Sequence, residues 1–126
     1  MLIHELKIYS SQLAKQVAFY SSKLGIKCIH QTKEQASFQL GSSVLTIESR
    51  QNSTPYHFAI TIPSNKEHEA LNWLKERVKI LAAQDIEIHD FNFWNAKAMY
   101  FYDSDQNIVE FIARKNLPNE NKLSFD

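Results

Sequence analysis

One order of elements, strand, helix and three strands, occurs twice along these 126 residues, and an internal repeat constrains a fold more than any single propensity. In the first copy residues 2–9 alternate. Leu6 and Ile8 take one face and Glu5, Lys7 and Tyr9 the other, the period of a half-buried strand. Ser10 or Ser11 can cap a helix by accepting from a first-turn N–H. Leu13, Val17, Tyr20 and Leu24 form its apolar stripe, and Gly25 can take the left-handed conformation that ends it. Three strands are predicted next, over 26–30, 36–40 and 43–48, with Gly41-Ser42 turning between the last two.

Residues 51–55 are polar and read as a connection. The second copy opens with an alternating run over 56–62, where Phe58 and Ile60 face away from His57, Ala59 and Thr61. Pro63-Ser64-Asn65 starts a helix whose inner positions are Ala70, Leu71, Leu74 and Val78. Strands over 86–91, 97–102 and 107–113 follow, with Asp103-Ser104-Asp105-Gln106 turning between the last two. Glu5-Leu6-Lys7-Ile8 falls on His57-Phe58-Ala59-Ile60, and Val44-Leu45-Thr46-Ile47 falls on Ile108-Val109-Glu110-Phe111, apolar on apolar. The expected fold class is α+β: two βαβββ modules, 1–50 and 51–114, forming a curved mixed sheet around a cleft, then a polar tail over 115–126.

Composition narrows the function. Apolar residues make up 44% and aromatics 12%, enough to build a core without a metal or disulfide to hold it. Fourteen basic residues balance fourteen acidic ones, so the chain lacks the basic surface that nucleic acids and anionic membranes require. A single cysteine, Cys28, excludes a disulfide scaffold and a thiolate zinc cluster. The first residues show no basic-then-apolar leader and no stretch could span a bilayer, so a cytoplasmic location is expected. A small-molecule site or a protein partner must therefore carry the function.

Three stretches look familiar. They are Leu13-Ala14-Lys15-Gln16-Val17-Ala18-Phe19-Tyr20 with Leu24-Gly25, then Tyr56-His57-Phe58-Ala59, then the run from Tyr100 to Phe111 around Asp103-Ser104-Asp105-Gln106-Asn107. On these the chain resembles the vicinal oxygen chelate superfamily: glyoxalase I, bleomycin-resistance proteins, fosfomycin-resistance thiol transferases and extradiol dioxygenases. In that family the last turn is usually Asp-Pro-Asp-Gly-Asn. The likeness spans about residues 2–114. It is specific for a fold and not for a reaction, since one fold hosts several chemistries.

The resemblance implies a site. Metal-using members carry ligands on the first and last strands of each module, and those positions here are Glu5, Thr46, His57 and Glu110. Glu5, His57 and Glu110 would hold a divalent metal, Fe, Mn, Ni or Zn, because imidazole and carboxylate suit such ions. The gap-free register selects Glu5, although His4 stands one residue earlier and, on a strand, on the opposite face. Thr46 is a poor ligand and argues against glyoxalase I, while Glu48 could reach in from the same face. Leu6 and Asp90 stand near places where fosfomycin transferases carry polar or basic contacts, which argues against that reaction.

Tyr100 would act beside the metal, and Trp94, Tyr102, Glu48 and Thr46 would contact substrate. The leading expectation is a metal-dependent lyase, isomerase or ring-cleaving dioxygenase acting on a small molecule with adjacent oxygens, working as a homodimer. The alternative is a metal-free protein that sequesters an aromatic molecule, with His57 and Glu110 merely hydrogen-bonded. A third possibility is a module that works through protein contacts. Cys28 reads as core, His30 and His89 as strand residues without a clear partner, His68 as exposed, and Trp73 as packing.

Overall fold

The computed structural model describes residues 4–82, 84–91 and 95–114. They form two compact units, one from residues up to Tyr56 with Asp103–Asn107, the other from His57–Tyr102 and the chain from Ile108 onward. The predicted tail over 115–126 and Trp94 lie outside the described residues. Among the described residues no helix is long and apolar enough to cross a membrane.

The first unit runs β1 (Glu5–Ser10), α1 (Leu13–Val17), a π-helical turn (Ala18–Lys23), β2 (Cys28–Gln31), β3 (Gln35–Leu40) and β4 (Ser43–Ser49). Its sheet has the order β1-β4-β3-β2, with β1 parallel to β4 and the other pairs antiparallel. The second unit repeats this with β5 (His57–Ile62), α2 (Glu67–Lys75), β6 (Ile80–Leu81), β7 (His89–Phe91), β8 (Ala96–Tyr102) and β9 (Ile108–Arg114). Its order is β5-β9-β8-β6, β7 also pairs with β8, and β5 is parallel to β9. The class is α+β, two mixed sheets with few helices; the first unit has the predicted βαβββ order and the second has it with one further strand. The two-residue strand β6 is an addition, too short to show a period.

Each sheet turns its apolar face to its helix. Ile8, Ala36, Phe38, Leu45 and Ile47 are buried in the first unit beneath Phe19, Tyr20 and Leu24. Met99, Phe101, Val109 and Phe111 are buried in the second with Ala70 and Leu74 of α2. The first helix departs from its predicted course. After Val17 it widens, and Leu24 N donates to Phe19 O five residues back. A π turn rotates less per residue than an α turn, which keeps the adjacent Phe19 and Tyr20 both on the sheet side. Gly25, at φ +75°, ends it as expected. The cap differs: Ser10 Oγ accepts from Gln12 N at 2.9 Å, but Gln12 itself holds the cap position and makes no side-chain capping bond. Cys28 is a second correction. It is half-buried on β2, the end strand of its sheet, and Sγ donates to His30 O at 3.4 Å.

A polar knot sits inside the first unit. The Asp103 carboxylate, 2% exposed, accepts from Tyr20 Oη at 2.6 Å, Gln16 Nε2 at 3.0 Å and Asn107 Nδ2 at 2.8 Å. It also accepts from the backbone N–H groups of Asp105 and Asn107. Gln16 Oε1 in turn accepts from Ser104 Oγ. A buried carboxylate is tolerable only when its lone pairs are so filled. This explains a buried glutamine on the inner face of α1 and the tyrosine of the Phe19-Tyr20 pair. Burial, then the Asp103 charge and the hydrogen bond to it, push the Tyr20 phenol well above its ordinary 10.0.

Two predictions follow from this loop. Below pH 10 the phenol is protonated whether the chain is folded or unfolded; above it the unfolded chain releases that proton first, so stability falls as pH rises. Tyr20→Phe should cost about 2 kcal/mol at neutral pH and flatten the alkaline fall, as read by urea denaturation across a pH series. Gln106 holds a φ of +65° where the resembling family has glycine. Gln106→Gly should raise stability by about 0.5–1 kcal/mol in the same assay, since a side chain in the left-handed region is strained.

Candidate functional site

The parallel register of β5 and β9 sets His57 opposite Ile108 and Ala59 opposite Glu110. His57 and Glu110 leave the same face of the sheet on adjacent strands and meet, His57 Nε2 standing 3.1 Å from Glu110 Oε1. The imidazole is 55% exposed and the carboxylate 13%, so the pair has one wet end and one sheltered end. Tyr100 on β8 lies directly opposite Glu110, with its ring centroid 6.0 Å from that of His57. Burial raises the Tyr100 phenol above its ordinary 10.0, and the negative charge of Glu110 pushes it the same way. The phenol therefore keeps its proton throughout the neutral range and can donate. His89 on β7 packs edge-on against the same ring at 5.3 Å.

The first unit carries the same three sheet positions with different chemistry. Glu5 begins β1 as His57 begins β5, Thr46 holds on β4 the register of Glu110, and Ser37 faces Thr46 as Tyr100 faces Glu110. Thr46 Oγ1 donates to Glu5 Oε2 at 2.7 Å, and Ser37 Oγ lies 2.9 Å from Thr46 Oγ1. Threonine has one hydroxyl proton and gives it to Glu5, so Ser37 donates to Thr46. On the next rung Lys7 pairs with Glu48 at 3.5 Å, an exposed contact. Leu6 alternates to the face of Ile8, away from Glu5.

The donor set suits a divalent cation. Two donors bound side by side to one ion at about 2.1 Å stand about 3 Å apart, close to the separation of His57 Nε2 and Glu110 Oε1. Among the described residues of either unit, no group of three or more His, Cys, Asp or Glu gathers to hold an ion. The remaining candidates are dispersed. Tyr102, at the end of β8, is 42% exposed. His30 and His68 are exposed. Trp73 stacks on Phe111 at 6.4 Å with the Arg77 guanidinium 4.2 Å over its ring, a packing role as expected.

Metallothiol transferase FosB of Staphylococcus haemolyticus is 33% identical over 108 residues, covering 79% of this chain and 74% of that protein. The chain belongs to the vicinal oxygen chelate superfamily. Two solved structures share the fold of this superfamily member. Lactoylglutathione lyase of Agrobacterium tumefaciens superposes with a TM-score of 0.73 at 17% identity, covering 87% of this chain and 91% of the other. The fosfomycin resistance protein FosX of Listeria monocytogenes, solved with Mn(II) and 1S,2S-dihydroxypropylphosphonic acid, gives 0.64 at 21%, covering 92% and 91%. No protein-family model matches the chain. Membership makes it a glyoxalase, fosfomycin-resistance and dioxygenase-like protein, in a superfamily that includes metal-dependent enzymes.

Sequence reasoning missed His89, which it left without a partner. Strand alternation signals the shared face only once the register is known, and His89 opposite Ala98 is the pairing that brings it to Tyr100. In an ultraviolet titration the Tyr100 phenolate, identified by its loss in Tyr100→Phe, should form only above pH 10. Glu110→Gln should return it part of the way and no further, because burial is the larger cause.

Proposed function

We propose that this chain is a metal-dependent enzyme acting on a small molecule with adjacent oxygens, and that thiol transfer to fosfomycin is the first reaction to test. The observation that carries the reading is the contact between His57 and Glu110 on neighbouring parallel strands. These two would hold the ion. A divalent ion bound there would supply Lewis-acid chemistry to a pair of substrate oxygens. Tyr100 keeps its phenol proton and is the donor to negative charge that develops on an oxygen. Tyr102 and Trp94 are the proposed substrate contacts; Thr46, expected to be another, is 1% exposed and gives its hydroxyl proton to Glu5, which closes it off from substrate.

The choice of reaction follows the FosB relative, whose name describes a metallothiol transferase. The side-chain geometry at Leu6 does not weigh against it, because that residue turns to the core face of β1. The same reading makes the working unit a cytoplasmic homodimer. End strands β1, β2 and β5 present edges that pairing between copies would cover.

Dialysed protein should bind one Mn(II), Ni(II), Zn(II) or Fe(II) per chain by calorimetry. His57→Ala and Glu110→Gln should each weaken binding by about a hundredfold or more, since each removes a ligand. With the ion bound, fosfomycin and a low-molecular-weight thiol should give a thioether product by phosphorus NMR. Tyr100→Phe should lower kcat by about a hundredfold, the order expected for one lost oxyanion donor. A folded protein that binds none of the four ions would overturn the reading and leave His57 and Glu110 as a hydrogen-bonded pair in a metal-free binding protein.

A further inference from the structure

We infer that the polar cavity beside the Asp103–Asn107 turn binds a small amine, with the Asp105 carboxylate receiving the ammonium group. The inference is independent of the His57–Glu110 pair, and every residue it uses belongs to the first unit. The cavity measures about 230 Å³, just below the roughly 300–1,000 Å³ of pockets that take drug-sized molecules. It is bounded by the end of β1, the residues leading into α1, the connection over 53–55 and the turn between β8 and β9. That turn treats its two carboxylates differently. Asp103 accepts from Gln16, Tyr20, both nitrogens of Asn107 and the backbone N–H of Asp105. The Asp105 carboxylate, two residues on, has no hydrogen-bond or ion-pair partner among the described residues, and its Oδ2 is buried. A sheltered carboxylate oxygen without a donor is costly. Asp105 lines the cavity, so a donor entering there meets its carboxylate. The other walls select the kind of donor. None of the described residues bounding the cavity is Lys, Arg or His, and five carry hydroxyls: Tyr9, Ser11, Ser53, Thr54 and Ser104. The Arg50 guanidinium lies 3.7 Å over the Tyr9 ring and forms no ion pair with Asp105. A negative charge with no cation in the walls rejects anions and favours an ammonium, the stronger kind of donor. A bare metal ion fits less well, since among the described residues no three or more His, Cys, Asp or Glu gather to hold one. An amino alcohol suits both the carboxylate and the hydroxyls.

The test is an amide NMR titration of the full chain with ethanolamine at neutral pH, run beside sodium chloride, ethylene glycol and sodium acetate at matched ionic strength. Ethanolamine should give saturable shifts in the millimolar range at Tyr9, Gln12, Thr54 and residues 104–107. Ethylene glycol keeps the hydroxyls and lacks the charge, so it should bind about tenfold more weakly or worse. Acetate should not bind. Asp105→Asn, which keeps the backbone N–H that Asp103 accepts, should weaken ethanolamine binding about 10–100-fold. Ser53→Arg, at an exposed position on the cavity wall, should block binding by supplying a cation of the chain's own. That second variant decides the matter if Asp105→Asn fails to fold. No saturable shift, shifts scattered over other residues, or full affinity in either folded variant overturns the inference. Equal binding of ethylene glycol or acetate overturns it too, as do the same shifts with sodium chloride alone, which would make the cavity a site for a simple ion.

Discussion

Parallel pairing of the first and last strands of each repeat is the constraint on which the rest depends. It brings residues 41 and 53 positions apart, Glu5 with Thr46 and His57 with Glu110, into hydrogen-bonding contact. Antiparallel neighbours could be joined by a short turn; parallel ones need an intervening crossover, and here each crossover carries a helix and the inner strands. The chemistry-bearing residues therefore sit on the sheet face opposite the one that packs the helix. The core and the site are two faces of the same strands.

The repeats have kept their backbone register and diverged in what they do with it. In the second unit the three positions hold imidazole, carboxylate and phenol, a set able to bind a cation and donate a proton. In the first they hold carboxylate, threonine and serine, and the bonds run as a chain that terminates on Glu5. The first set ends a chain of hydrogen bonds on one carboxylate; the second supplies a donor pair with a neutral phenol beside it.

The loop Asp103–Asn107 shows how a turn can become part of a core. It leaves β8 and returns to β9, yet groups with the first unit, where the Asp103 carboxylate is filled by Gln16, Tyr20 and Asn107. Such a network stabilises one arrangement because each donor left unpaired would carry a desolvation penalty. Residues that look like a helix motif and a turn motif in sequence are the two halves of one buried contact.

Much of the fold was legible because strands and helices announce themselves by period. Alternation marked the first strand of each repeat, and spacing together with Gly25 marked the first helix and its end. The resemblance, laid on this sequence, pointed to Glu5, His57, Tyr100 and Glu110 as candidates. Period says which face a residue takes on its own element; it does not say which element lies alongside, or in what register. The π widening after Val17, the two-residue β6, the edge position of Cys28, the contact of His89 with Tyr100 and the hydrogen bonds linking Ser37, Thr46 and Glu5 all depend on that second fact. Sequence determined the elements, their faces and the repeat, which are local properties of side-chain size and polarity. Only the tertiary structure decided who meets whom, because partners distant along the chain are chosen by the packing of the whole sheet.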